Sequence, residues 1–66
     1  MASLFIREYR KKKKLSQSEV AVAVGVTQSM VAKWENSKNY PRVEDLIKLS
    51  DLFGCTIDEL VRGEKK

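Results

Sequence analysis

One short stretch of the chain gathers hydrogen-bonding side chains on a single helical face. At 3.6-residue spacing, Val31 and Trp34 fall on the apolar side of residues 28–36, with Met30 beside them. The opposite side is polar, short-chained and without an acid, and consists of Gln28, Ser29, Ala32 and Lys33. Surface helices usually mix both signs of charge. This acid-free face therefore favours a binding role over ordinary solvent exposure.

The composition excludes most catalytic and metal chemistry. Histidine is absent and Cys55 is the sole cysteine, which excludes histidine-dependent catalysis, an internal disulfide and a Cys/His zinc site. No nucleophile with its base can be assembled, so we expect no enzyme, no cofactor and no metal. A single thiol suits a reducing cytoplasm, and no apolar run approaches the roughly 18 residues of a membrane span. We expect a cytoplasmic protein with no membrane partner.

Positive charge is concentrated in the first two-thirds of the chain. The net charge is +4, but residues 1–42 hold nine basic side chains against three acids. Residues 43–66 hold six acids against four basic side chains. A polyanion would therefore bind the N-terminal part. The run from Arg10 to Lys14 is a candidate for contact with phosphates, although most such runs are simply solvated surface and composition alone favours that alternative.

Apolar periodicity and capping signals predict an all-α domain over residues 1–66. Helices are expected at about 4–13, 17–24, 28–36, 43–53 and 57–62. Capping boxes beginning at Ser16 and Thr56 open the second and fifth helices, and Gly25 and Gly54 can end the second and fourth. Five short helices with connections of a few residues make a compact domain.

Two segments are less clear from local pattern. Residues 20–24 alternate valine with alanine, which locally favours a strand. A strand here would have no partner, so we predict a helix. The fourth helix is expected to turn one side toward the core; that side consists of Val43, Leu46, Ile47, Ser50 and Phe53.

The second and third helices are separated by Gly25-Val26-Thr27, a tight turn that contains glycine. This spacing is typical of a helix-turn-helix. Any corner between two helices of a small bundle can show it, so the turn alone is a weak signal.

A wider set of motifs agrees in order, without gaps, over residues 4–61. They are Tyr9-Arg10, Leu15 through Ala21, Gly25 through Ser29, Val31, Trp34-Glu35-Asn36, Lys38, Pro41, and Val43 through Leu60 with its Phe53-Gly54. In these motifs the chain resembles the Cro and phage-repressor (Xre-type) helix-turn-helix regulators. The resemblance implies a compact five-helix, lambda-repressor-like DNA-binding domain.

The resemblance makes the third helix a recognition helix that enters the major groove. Gln28, Ser29, Ala32 and Lys33 would then lie at base edges. The chemistry agrees, because glutamine can pair with adenine N6 and N7 and lysine with guanine O6 and N7. Serine accepts several bases, and a small alanine permits close approach or touches a thymine methyl group.

Phosphate contacts are implied at the start of the second helix, where the helix dipole favours an anion, and in the loop after the third. The expected residues are Arg10, Gln17, Asn36, Lys38, Asn39, Tyr40 and Arg42. A half-buried loop anchor is an equal alternative for Tyr40. Arg10 and Glu35 also occupy positions that form an ion pair in related repressors.

Some residues depart from the family pattern. Ser37 and Lys14 stand where glycine is common, and Arg42 replaces a capping serine or threonine. Residues other than glycine cost about 1 kcal/mol in the left-handed conformation. Val22 replaces a polar residue, so it is either simply exposed or part of a further contact surface.

The resemblance implies a sequence-specific regulator of transcription that binds double-stranded DNA and is expected to act as a repressor. A homodimer would place two recognition helices on half-sites about 34 Å apart, which requires a pseudo-palindromic operator. The dimer contact is expected at Leu52, Cys55, Ile57 and Val61, with core packing as the alternative. Other interpretations are the antitoxin of a toxin-antitoxin pair and a restriction-modification controller. The protein would be bacterial or phage-encoded, and nucleoid-associated when bound.

Overall fold

The structure is a computed structural model that describes residues 4–63, and within this range the chain forms five α-helices and no strand. They are α1 (Ile6–Lys12), α2 (Gln17–Val24), α3 (Gln28–Glu35), α4 (Val43–Phe53) and α5 (Ile57–Arg62). The all-α prediction is confirmed. None of these helices combines the length and apolar character needed to cross a membrane. The ends of the predicted domain, 1–3 and 64–66, lie outside the described residues.

Three helices have the predicted bounds, whereas α1 is shorter than the predicted 4–13. Phe5 lies outside the helical region, with φ −89° and ψ 34°. Its amide donates to the carbonyl oxygen of Leu60 at 2.9 Å, and Leu4 is buried. The segment before α1 therefore hydrogen-bonds to α5 instead of extending α1. α3 also ends one residue before the predicted Asn36, which is its C-cap.

The alternating segment 20–24 is helical, as predicted from its lack of a strand partner. A capping box between Ser16 and Glu19 starts α2, and Val20 and Val24 lie on its buried face one turn apart. Val22 points the other way and is 82% exposed. Tertiary context has overridden the β-propensity of the valines.

The core lies where the helices meet, and Trp34 is its largest wholly buried side chain. The rings of Tyr9 and Phe53 stack with their centroids 6.0 Å apart. The buried apolar residues are Leu4, Ile6, Tyr9, Val20, Ala21, Val24, Val31, Trp34, Leu49, Phe53 and Leu60.

The predicted inner face of α4 is partly wrong. Val43 and Ile47 are 69% and 47% exposed, whereas Leu49, absent from the prediction, is wholly buried. Leu46, Leu49 and Phe53 form the packed stripe. This stripe is rotated from the predicted one because α4 packs against α1, α2 and α5 together.

Two helices end at residues other than glycine in the left-handed conformation, Lys14 with φ 58° and Ser37 with φ 60°. After α1, the amide of Leu15 donates to the carbonyl of Arg10 and that of Lys14 to the carbonyl of Lys11, both at 3.0 Å. This is the Schellman pattern, in which glycine usually takes the left-handed place. The end of α3 repeats it around Ser37. Both positions are those where the family pattern has glycine.

Replacing Ser37 with glycine is expected to raise the free energy of unfolding by about 1 kcal/mol, because glycine adopts φ 60° without a Cβ clash. Urea unfolding followed by the fluorescence of Trp34, the sole tryptophan, measures this change. The control is Ser37→Ala, which keeps the Cβ and should bring no gain. Equal stability of the glycine and alanine variants would contradict strain at this residue.

Candidate nucleic-acid interface

The turn between α2 and α3 determines where α3 begins. Gly25 ends α2 with φ 86°, a conformation that strains any residue with a side chain. Thr27 then caps α3, its hydroxyl oxygen accepting from the amide of Met30 at 3.2 Å. Only Val26 lies between these two signals. The first residue of α3, Gln28, is thereby held next to the start of α2.

The two faces of α3 separate as the sequence predicts. Val31 and Trp34 are buried, and the buried Glu35 ends the helix. The residues predicted to contact bases lie on the other side: Gln28, Ser29 and Lys33 are exposed and Ala32 is half-buried. α3 thus offers solvent a face with amide, hydroxyl and ammonium groups and no carboxylate.

Gln28 is held by side chains of α2. Its Nε2 donates to Oε1 of Gln17 at 3.3 Å, and its Oε1 accepts from the hydroxyl of Ser18 at 3.2 Å. Gln17 in turn donates through Nε2 to Oε1 of Glu35 at 3.1 Å. Restricting a side chain in advance lowers the entropic cost of binding. Gln28 is therefore oriented before any ligand arrives.

Glu35 anchors this chain of hydrogen bonds. Its side chain is 0% exposed and Oε2 accepts from Nε of Arg10 at 2.7 Å. Nη2 of Arg10 and Nε of Arg7 each donate to Oε1 at 3.2 Å. The structure thus contains the Arg10–Glu35 ion pair. Sequence reasoning missed Arg7 and Gln17 as partners, although Arg7 lies three residues before Arg10 on the same side of α1.

Charge on the pair is maintained by these contacts. Burial raises the pKa of Glu35, but hydrogen bonds from Arg10, Gln17 and Arg7 outweigh it, so the pKa lies below its ordinary value. The hydrogen bond to Glu35 raises the pKa of Arg10 despite partial burial. Both groups are ionised at neutral pH.

Arg10 and Gln17, two of the predicted phosphate-contacting residues, use most of their polar atoms within the protein. The Arg10 side chain is 14% exposed, and its Nη1 donates to the carbonyl of Leu15 at 3.1 Å. Only the second N–H of each terminal nitrogen remains for an anion. Gln17 is half-buried and bonds both Glu35 and Gln28. Its backbone amide, in the first turn of α2, has no acceptor in the helix ladder.

The remaining predicted phosphate contacts are exposed and follow α3: Asn36, Lys38, Asn39, Tyr40 and Arg42. Asn39 is tied locally, since its Oδ1 accepts from the amide of Tyr40 at 3.0 Å and its Nδ2 lies 3.4 Å from Sδ of Met30. Pro41 is buried and anchors the loop. Arg42 is the N-cap of α4 but makes no capping hydrogen bond with its side chain.

The predicted dimer contacts are mostly half-buried. Leu52 and Cys55 pack against the core, and Ile57 is half-buried at the start of α5. Val61 is exposed. Exposed apolar area in this part of the molecule is supplied more by Val43 and Ile47 of α4.

Two short helices joined by a three-residue turn, with a polar face exposed on the second, define an all-α helix-turn-helix domain. A family model described as helix-turn-helix matches residues 6–60, and the chain belongs to this family.

Known relatives agree with this membership. The chain is 38% identical over 60 residues to the HTH-type transcriptional activator BcrR of Enterococcus faecalis and 37% identical over 59 residues to repressor protein C2 of Salmonella phage P22. These matches cover 91% and 89% of the chain but only 29% and 27% of the relatives. Both relatives are named as regulators rather than enzymes. The chain spans less than a third of either protein.

The fold also matches a solved structure, that of the P22 c2 repressor protein in complex with a synthetic operator. The TM-score is 0.83 at 37% identity, and the match covers 89% of both chains. The prediction of a lambda-repressor-like fold is confirmed.

Proposed function

We propose that the chain binds a specific sequence of double-stranded DNA through the exposed face of α3 and thereby regulates transcription. The observation that carries this proposal is the acid-free face of α3, with Gln28 held in place by Gln17 and Ser18. The P22 relative, crystallised with operator DNA, supports the same partner.

In the proposed complex α3 enters the major groove. Gln28 reads adenine, Lys33 reads guanine, Ser29 accepts more than one base, and Ala32 lies close to the bases or touches a thymine methyl group. The orientation of Gln28 by Gln17 favours this assignment, because a fixed amide presents one donor and one acceptor to a base edge.

Phosphates bind on either side of this face. The amide end of α2 at Gln17 takes one backbone, with the outer N–H groups of Arg10 nearby. The loop after α3 takes the other strand through the exposed residues Asn36, Lys38, Asn39, Tyr40 and Arg42. These contacts set the register of α3 and supply the salt-dependent part of the affinity.

We further propose a homodimer that binds a pseudo-palindromic operator in the cytoplasm, associated with the nucleoid, and represses by occupying the site. One recognition helix per copy reads few base pairs, so two half-sites about 34 Å apart supply the specificity. The dimer surface lies in the region of α4 and α5 that includes Leu52, Cys55, Ile57 and Val61, among which Val61 is exposed.

Selection from random-sequence duplexes tests the proposal. We expect an enriched palindrome, and the variant Gln28→Ala should bind it more weakly by about 1–3 kcal/mol while its affinity for unselected duplex stays nearly unchanged. Fluorescence anisotropy measures both affinities. Equal losses on the two duplexes would make Gln28 a backbone contact, and no enriched sequence would count against specific recognition.

A further inference from the structure

The basic run that follows Arg10 is divided between two sides of the molecule. Lys12 Nζ lies 5.5 Å from the centroid of the Tyr9 ring. Lys13 Nζ lies beside Gly54, 3.9 Å from the place that a Cβ would occupy there. These two ammonium groups therefore lie on the side where α1 meets the end of α4.

Lys11 lies on the other side of α1, and Lys14 follows the end of this helix. Arg7, Arg10 and Lys11 are spaced i, i+3 and i+4 in α1, which places them on one helical face, and Lys14 lies two residues beyond the end of this helix. Arg7 and Arg10 point toward Glu35, at the end of α3. Lys11 and Lys14 are both exposed.

The end of this face is held close to the start of α2. The amide of Lys14 donates to the carbonyl of Lys11 at 3.0 Å, and Arg10 Nη1 donates to the carbonyl of Leu15 at 3.1 Å. Lys14 occupies a left-handed position that favours glycine, yet it carries a charged side chain. Only Leu15 and Ser16 separate it from Gln17, the first residue of α2.

We propose that Arg7, Lys11 and Lys14 form a basic strip that binds additional phosphates of the DNA backbone lying at the start of α2. The strip rests on the proposed DNA binding and extends it beyond the helix-turn-helix. Charge complementarity selects the partner, since all three side chains are cationic. The acidic residue of α1, Glu8, is spaced i, i+4 with Lys12 and so lies on the side of the helix away from this strip.

The test compares two double variants that each remove two positive charges, Lys11→Gln with Lys14→Gln and, as the matched control, Lys12→Gln with Lys13→Gln. Affinity for the selected duplex is titrated at several salt concentrations with the full chain. Each lost phosphate contact lowers the slope of log K against log salt by about 0.9. We expect this slope to be lower by about 1.8 in the first double variant and to keep its wild-type value in the control.

Between 50 and 200 mM salt, the first pair should therefore lose about tenfold less affinity than the wild type. An equal decrease of the slope in both double variants would indicate a general effect of charge and would overturn the proposal of a basic strip. Unchanged slopes in both double variants would also overturn it. In these two cases the proposed function is still supported, because the wild-type protein binds the selected duplex. Absence of DNA binding by the wild type would overturn both proposals. Thermal unfolding of each variant is the control that checks whether the folded state is retained.

Discussion

Replacing Arg10 with methionine is expected to lower the free energy of unfolding by about 3–5 kcal/mol, because it leaves a buried carboxylate without its main partner. Glu35 has a wholly buried side chain, and Arg10 supplies its shortest hydrogen bond, 2.7 Å. Arg7 and Gln17 each retain one bond to the same carboxylate, which favours the lower end of this range. Since the free energy of unfolding of a native domain is only about 5–15 kcal/mol, this loss would be large.

The double variant Arg10→Met with Glu35→Met provides the control. Replacing both partners of a buried pair with apolar groups is often neutral, so the double variant should be more stable than Arg10→Met alone. Urea unfolding followed by Trp34 fluorescence measures both variants. A double variant as unstable as the single one would show that packing of the Arg10 stem, rather than the unpaired carboxylate, causes the loss.

The exchange of Leu49 for alanine is expected to cost about 2–5 kcal/mol of unfolding free energy. Leu49 is wholly buried and belongs to the cluster that joins α4 to the other helices. Removal of the Leu49 side chain leaves a cavity, because the neighbouring side chains are held by separate helices. Thermal or urea unfolding gives the value.

The matched control is Ile47→Ala, two residues away on the same helix. Ile47 is 47% exposed, so its truncation removes little buried area and should cost less than about 1 kcal/mol. The two variants thus distinguish the observed inner face of α4 from the one predicted by sequence. Equal losses, or a larger loss at Ile47, would contradict the observed orientation of this helix.

The five helices and most of their ends were predictable because their signals are local, whereas the start of α1 was not, since Phe5 hydrogen-bonds to the distant Leu60. Ser16, Thr27 and Thr56 cap helices through bonds to an amide three residues on, and Gly25 and Gly54 end helices by adopting a left-handed conformation. Residues 20–24 show where local signals mislead, since valine propensity favours a strand and the absence of a partner decides for a helix.

The site was predictable in part. The acid-free face of α3 follows from spacing, and the pairing of Arg10 with Glu35 follows from the resemblance to known repressors. The hydrogen bond from Arg7 to Glu35 spans 28 residues of sequence, and that from Gln17 spans 18. No periodicity within one helix reports contacts of this range.

By itself, the sequence determined that this chain is helical, that its positive charge lies in the first two-thirds, and that a polar face without acids begins at Gln28. Only the tertiary structure decided which side of α4 is buried and that Arg7 and Gln17 join Arg10 at Glu35. The physical reason is that helix spacing relates residues within one element, whereas burial and ion pairing depend on what other elements pack against it.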